Sequence, residues 1–402
     1  MKLSRAHRAC LFLLAASLHT TDPVEVRNLQ SIAINKMHLV NPVRILLQET
    51  PLEVLSWTLE SSQGFLLYNP HSKDVEQINE PKLIITCSGE LFMVQDKLYG
   101  HNHLIIMPYK GLISFDSIPY DGFFSLRYTE GQASLVNHIG LEDYLASVLP
   151  YESIPSWPDE VQKAICIACR TYTVYKIYSQ RNQKNRPHFD LRNTVLDQVY
   201  RGHAKKSSIK RIVDSTKDMI ITHEGDPILA MYSSICGSII PANINSPILI
   251  NAPYLKRSYA CTHCKSSPLY RWTTNHSLKE LEKPLHKIHP KLGELKEVRI
   301  TSYDQAGIAQ KVLLTGSQKQ VTMAAHDFRM IFYKTIKSNA CEIIPNPQTF
   351  KIKGKGWGHH IGLCQWGAHA MDIQGHTYDQ ILSFYYPGSV LCKLKKEHFF
   401  KS

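Results

Sequence analysis

With 402 residues, 43% of them apolar, the chain holds enough core-forming material for two domains or one elaborate one. Its net charge of +12 points to an anionic surface or polymer as its setting, yet the basic residues are dispersed. The densest group, KKSSIKR at 205–211, has no interleaved aromatics, so a nucleic-acid partner is set aside.

The N-terminal stretch MKLSRAHRACLFLLAASLHT carries Lys2, Arg5 and Arg8 ahead of a short apolar run. That run fits a secretory signal over residues 1–22 better than a membrane span, and places the mature protein in the periplasm or cell envelope. The alternative is an uncleaved N-terminal anchor, which would be the chain's one membrane contact. Of ten cysteines, Cys10 lies in this segment, which leaves an odd number and argues against a pure disulfide framework.

Residues 23–118 read as a strand-rich accessory domain: VRILLQ, GFLLYN, KLIITCSG and HLIIMPY alternate or run apolar between Pro, Gly and Asn breaks. From 119 the pattern changes, and 119–395 reads as a separate catalytic domain. DGFFSLRYTEGQASLVNHI predicts a hairpin turning at Glu130-Gly131. GLEDYLASVL then predicts a helix stopped by Pro150. A second helix is predicted to start at SWPDEV, with Pro158 in its first position and capping-box spacing from Ser156 to Asp159. Strands are expected at 219–223 and 228–232, followed by a loop-rich, cysteine-bearing stretch at 236–272. EVRITSYDQAGIAQKVLLTG predicts a hairpin, and VTMAAHDFRMIFY a short helix entered through a strand. AHAMDIQGHTYDQILSFYYPG predicts two short helices split by Gly375. The fold class expected from this mixture is α+β.

Three groups carry chemistry. Glu152 sits in YESIPSW among Tyr151, Ile154 and Trp157, neighbours that would desolvate a carboxyl and raise its pKa, as a general acid requires. The other reading is a surface glutamate at a helix entrance. Cys261 and Cys264 have C-x-x-C spacing, with Cys236 upstream; three thiolates and one unidentified ligand would make a structural zinc site, and disulfides stay open. Cys166 and Cys169 share the spacing but fall in a helix, where they read as small buried residues. Finally, GWGHHIGLCQWG at 356–367 holds four glycines with Trp357, His359, His360, Cys364, Gln365 and Trp366. A wall for a sugar fits this better than a metal site, a Cys/His nucleophile or a packing turn.

Together these segments resemble the stage II sporulation protein D (SpoIID) family, including amidase-enhancer-like proteins. The resemblance runs from about 119 to 392 through GLEDYLASVLPYESIPSWPDEVQKAICIACRTY, LDQVYRG, AMYSSICG, PYLKRSYACTHC and GKGWGHHIGLCQWGAHAMDIQGHTYDQILSFYYPG. It implies lytic transglycosylase activity on peptidoglycan glycan strands, particularly those stripped of stem peptides by a cell-wall amidase, which would be a partner. The family's catalytic glutamate falls on Glu152. The resemblance also implies that Trp157, Trp357, His359, His360, Gln365 and Trp366 contact sugar. Arg170 would orient the glutamate or hold a lactyl carboxylate. Two departures stand out: Ser233 where the family often has histidine, and His360 where it commonly has glycine.

Overall fold

The computed structural model describes residues 23–399 apart from 38–41, 52–54, 96, 182, 184, 195, 205–206 and 346–348. The expected signal segment 1–22, with Cys10, lies outside the described residues. Eight α-helices and several sheets among the described residues make the protein α+β, as expected. None of these helices is long and apolar enough to cross a membrane. The chain divides into two compact units, Met1–Gly140 and Leu141–Ser402.

The first unit carries two antiparallel sheets. One runs Val43–Pro51, Gln132–Ile139, Phe123–Thr129, His103–Pro108, Phe65–Tyr68, Val75–Ile78; the other runs Ile118–Tyr120, Ile113–Phe115, Leu55–Glu60, Lys82–Ser88, Leu91–Val94, Lys97–His101. The hairpin Phe123–Ile139, grouped above with the following segment, hydrogen-bonds on both sides into the first of these sheets. Its turn takes positive φ at Glu130 and Gly131, the geometry a two-residue hairpin needs. Trp57 donates from Nε1 to Gln48 at 3.0 Å and Tyr120 meets Phe124 edge-on at 5.4 Å, joining the sheets. A helix, α1 (Pro23–Met37), which the strand-rich reading of 23–118 did not include, precedes these strands and packs Ala33 against Leu66, Ile105 and Met107.

In the second unit α2 (Leu141–Glu152) leads to α3 (Asp159–Arg181) and α4 (Ser207–Ser215). Pro150 does not stop α2; the helix runs on through Glu152. Pro150 costs the helix one i→i−4 hydrogen bond, and the helix ends two residues later. The N-terminus of α3 is held by Asp372, whose Oδ2 accepts from the Val161 N–H at 2.7 Å. Arg170 is fully buried on α3 and makes a bidentate pair with Glu142 of α2 (2.9 and 2.7 Å), with further bonds to the carbonyls of Met219 and Val213. A buried guanidinium whose donors are so spent fixes the helix arrangement.

The remaining helices are α5 (Leu278–Ile288), α6 (Ala325–Ile331), α7 (Gln365–Ile373) and α8 (Tyr378–Tyr385). The first two pack with two three-stranded sheets around a core that includes Trp272, Leu285, Leu314, Phe328 and Ile352. The hairpin Leu295–Gly316, the strand-then-helix at 320–331 and the helix pair split at Gly375 form as expected. Met219–His223 is a strand, but 228–232 is not. There the chain forms only the two-residue strand Tyr232–Ser233, paired in parallel with Leu363–Cys364. That short pairing sets the cysteine-bearing loop beside the 356–367 motif.

Candidate active site and cysteine cluster

Glu152 closes α2, half-buried. Its Oε1 accepts from the Val199 N–H at 2.7 Å, and its main-chain carbonyl accepts from Gln365 Nε2 at 2.6 Å. Desolvation raises the carboxyl pKa above its ordinary value, while bonds from Val199 and from the Tyr232 hydroxyl pull the other way. Tyr232 in turn accepts from Gln198 Nε2 (3.2 Å) and Cys169 Sγ (3.5 Å), and fully buried Gln198 accepts from Tyr144 at 2.9 Å. Burial keeps the Tyr232 hydroxyl protonated, so it is available as a donor.

Asp197 shares electrostatic neighbours with Glu152, but it is committed to Lys176 (2.9 Å), Tyr172 (3.0 Å) and the Arg192 N–H. Glu152, by contrast, is the carboxyl whose pKa burial raises.

Beside Glu152 the structure gathers Trp157 and Trp366, edge-on at 5.5 Å, with His369 stacked on Trp157 at 4.7 Å. Gln365 is taken up by the Glu152 carbonyl. His359 keeps an exposed outer face, although its nitrogens are engaged by backbone: Nε2 donates to the Tyr232 carbonyl at 2.9 Å and Nδ1 accepts from the Ile361 N–H. Protein crowded around those nitrogens lowers its pKa to about 4, so the ring stays neutral at neutral pH. Trp357 is 37% exposed, with Lys337 Nζ 4.7 Å above its ring.

Two expected substrate contacts lie elsewhere. Arg170 points into the helix core towards Glu142, out of reach of any sugar. His360 is also buried, at φ +66°, with Nδ1 on the Cys236 carbonyl at 2.9 Å; burial lowers its pKa to about 3. A side chain at this position is thus turned inward instead of narrowing a cleft.

The cysteine trio gains its fourth member from the motif itself. Cys236, Cys261, Cys264 and Cys364 are all buried, with sulfurs within 4.8 Å of one another. Cys236 Sγ and Cys264 Sγ are 3.7 Å apart. Tetrahedral zinc with Zn–S of about 2.3 Å needs sulfurs about 3.8 Å apart, so the cluster can hold a metal and is compatible with zinc. All four are free thiols, as are Cys166 and Cys169 inside α3, where burial raises both pKa values. Hydrogen bonds from the other three thiols drive the Cys261 pKa down, as a thiolate ligand requires. Burial pushes Cys364 well above its ordinary pKa, and its sulfur accepts the Cys236 N–H at 3.2 Å. Cys364 is fully buried within the cluster, whereas a nucleophilic thiolate must be accessible, so the geometry does not support a Cys364 nucleophile.

Sequence reasoning missed Tyr232, Val199, His369 and the place of Cys364 in the cysteine cluster. Tyr232 lay in AMYSSICG, and the count of an isolated cysteine in each of two motifs was the available signal for Cys364.

A family profile described as Stage II sporulation protein matches residues 129–223, and a Domain of unknown function (DUF8618) matches 248–362. An uncharacterised protein of Brachyspira hyodysenteriae is 31% identical over 322 residues, covering 77% of this chain and 84% of that protein. The amidase enhancer of Bacillus subtilis is 28% identical over 359 residues; the match spans 76% of this chain and about half (49%) of that protein. Stage II sporulation protein D of Bacillus subtilis is 27% identical over 267 residues, 63% of this chain and 75% of that protein. The profile match, these relatives and the shared motifs agree, and the chain belongs to the SpoIID and amidase-enhancer-like family.

Proposed function

We propose that the protein is an exported peptidoglycan lytic transglycosylase, cleaving glycan strands stripped of stem peptides in cell-wall remodelling. The observation that carries this reading is Glu152: a single carboxyl with a raised pKa, gripped by Val199, Tyr232 and Gln365 beside an aromatic wall. Hydrolytic glycosidases generally need two carboxyls, one for acid catalysis and one to activate or replace water. A lytic transglycosylase needs one, because the attacking group is the muramyl residue's own C6 hydroxyl.

In the first half of the reaction protonated Glu152 gives its proton to the departing glycosidic oxygen as the C1–O bond breaks. The resulting carboxylate accepts the C6 hydroxyl proton as O6 bonds to C1. The products are a free 4-hydroxyl and a 1,6-anhydromuramyl end, and Glu152 is again protonated with no water consumed. Holding the internal nucleophile close supplies much of the advantage. Tyr232 and Val199 stabilise the carboxylate between the two transfers. Trp157 and Trp366 give flat apolar surface for sugar faces.

We assign the four-cysteine cluster to zinc, which would supply a structural crosslink. Cys364 directly precedes Gln365, and Cys236 follows Tyr232 by four residues, so the cluster ties together both segments that hold Glu152. A cell-wall amidase is the fitting partner, given the relative named amidase enhancer.

Pure protein incubated with amidase-treated glycan strands is expected to yield anhydromuramyl ends, detected by mass spectrometry. Binding to strands without any such ends would make it a non-catalytic partner of an amidase. The pH profile gives a second check. Glu152 must start protonated, so activity falls as pH rises through its pKa. Tyr232→Phe removes a bond that lowers that pKa, and the alkaline limb of kcat/KM should move to higher pH. An unmoved limb would remove Tyr232 from this role.

A further inference from the structure

We propose that the exposed face of the sheet formed by Arg271–Ser277, Thr349–Lys355 and Cys341–Pro345 is a binding track for the carboxylates of a stripped glycan strand. This rests on the proposed function for the identity of the strand. Along Thr349–Lys355 burial alternates: Phe350 and Ile352 face the core, and Lys351, Lys353 and Lys355 are exposed. In the antiparallel register these lysines lie opposite Asn275, Thr273 and Arg271 on one neighbour. On the other, Ile344 and Glu342 lie opposite Lys351 and Lys353. Four cations thus share this face with one carboxylate. At about 3.3 Å per residue the lysines recur about every 7 Å.

None of these four side chains forms an ion pair or hydrogen bond among the described residues. Pairing is available elsewhere on the same unit: on Leu295–Tyr303, Lys296 binds Glu294 and Arg299 binds Glu297. The unpaired row also leads somewhere. Lys355 runs directly into Gly356-Trp357, and the sheet is continued by Gly356 N–H to the Tyr270 carbonyl (2.9 Å) and Trp272 Nε1 to the Gly356 carbonyl (2.8 Å). Lys337 caps the Trp357 ring, and Gly358 N–H binds the Lys337 carbonyl at 3.1 Å. From there His359 reaches the Tyr232 carbonyl, and the Tyr232 hydroxyl reaches Glu152.

The ligand this suits is linear, repetitive and anionic. Hydrolysis of the amide joining a muramyl lactyl group to its stem peptide leaves one carboxylate on every disaccharide. Lysines on flexible stems meet such recurring charges without a fixed fork geometry. Exposed pairs are individually weak and salt-screened, so a strand can be held and still advance. An amidase therefore creates the charge that the track reads.

The test compares full-length wild type with Lys351→Gln/Lys353→Gln, and with Lys279→Gln/Lys283→Gln on α5, which changes net charge equally at exposed positions off the sheet. Probes are amidase-treated strands, the same strands with carboxylates converted to methylamides, and polyphosphate. The sheet variant should bind carboxylate strands about tenfold more weakly at low salt, with a raised KM. The α5 variant should match wild type, and blocked strands should bind weakly to all three. Equal binding by sheet variant and wild type, or equal binding of blocked and unblocked strands, overturns the track. Tighter binding of polyphosphate, lost in the sheet variant, reassigns the face to a phosphate polymer and likewise overturns it. Salt-sensitive binding lost in the sheet variant without anhydromuramyl ends from wild type would leave the track standing and remove the proposed catalysis. Ends formed with an unchanged KM would do the reverse.

Discussion

Glu152→Gln is expected to lower the yield of anhydromuramyl ends by about 10³-fold or more while strand binding persists, because one group serves as both acid and base. Gln keeps an acceptor oxygen for the Val199 N–H, and the Gln365 bond goes to the main chain, so the local fold should survive. Mass spectrometry of products, with a parallel strand-binding measurement, reads the result. Full activity in the variant would leave an enzyme but discard Glu152 as its acid. A loss of binding equal to the loss of turnover would point to a damaged cleft.

Cys364→Ser should cost the protein its stoichiometric metal and at least about 4 kcal/mol of stability, since loss of a bound metal is among the changes with large effects. For a unit of this size that corresponds to a fall in Tm of about 8–16 °C. Elemental analysis and thermal melts of wild type, variant and chelator-treated wild type make the comparison. Turnover should fall with metal content, because Gln365 and Tyr232 flank ligands of the cluster. Metal-free wild type with an unchanged melt would end the zinc assignment. A variant that keeps its metal and its Tm would exclude Cys364 as a ligand.

Backbone conformation and helix packing explain which residues the sequence misplaced. Arg170 sits in a motif that also holds family-matched chemistry, and as a long cation it invited a carboxylate partner. It found one in Glu142, along α2 from Glu152, because its position on α3 faces the interior. His360 follows a glycine-rich turn at positive φ, and that backbone conformation sends its ring to the Cys236 carbonyl. Neither direction is encoded in residue type or spacing.

What the sequence determined by itself was local and periodic: the α2 and α3 helices, the hairpins and the helix pair split at Gly375. Those follow from side-chain periodicity and turn chemistry, which act over a few residues. The tertiary structure decided the rest. The parallel pairing of Tyr232–Ser233 with Leu363–Cys364 joins stretches far apart in the chain, and it is this contact that completes the four-cysteine cluster and aims Tyr232 at Glu152. A ligand set or a proton-bearing site is a matter of distances between such stretches, and those distances exist only once the chain has packed.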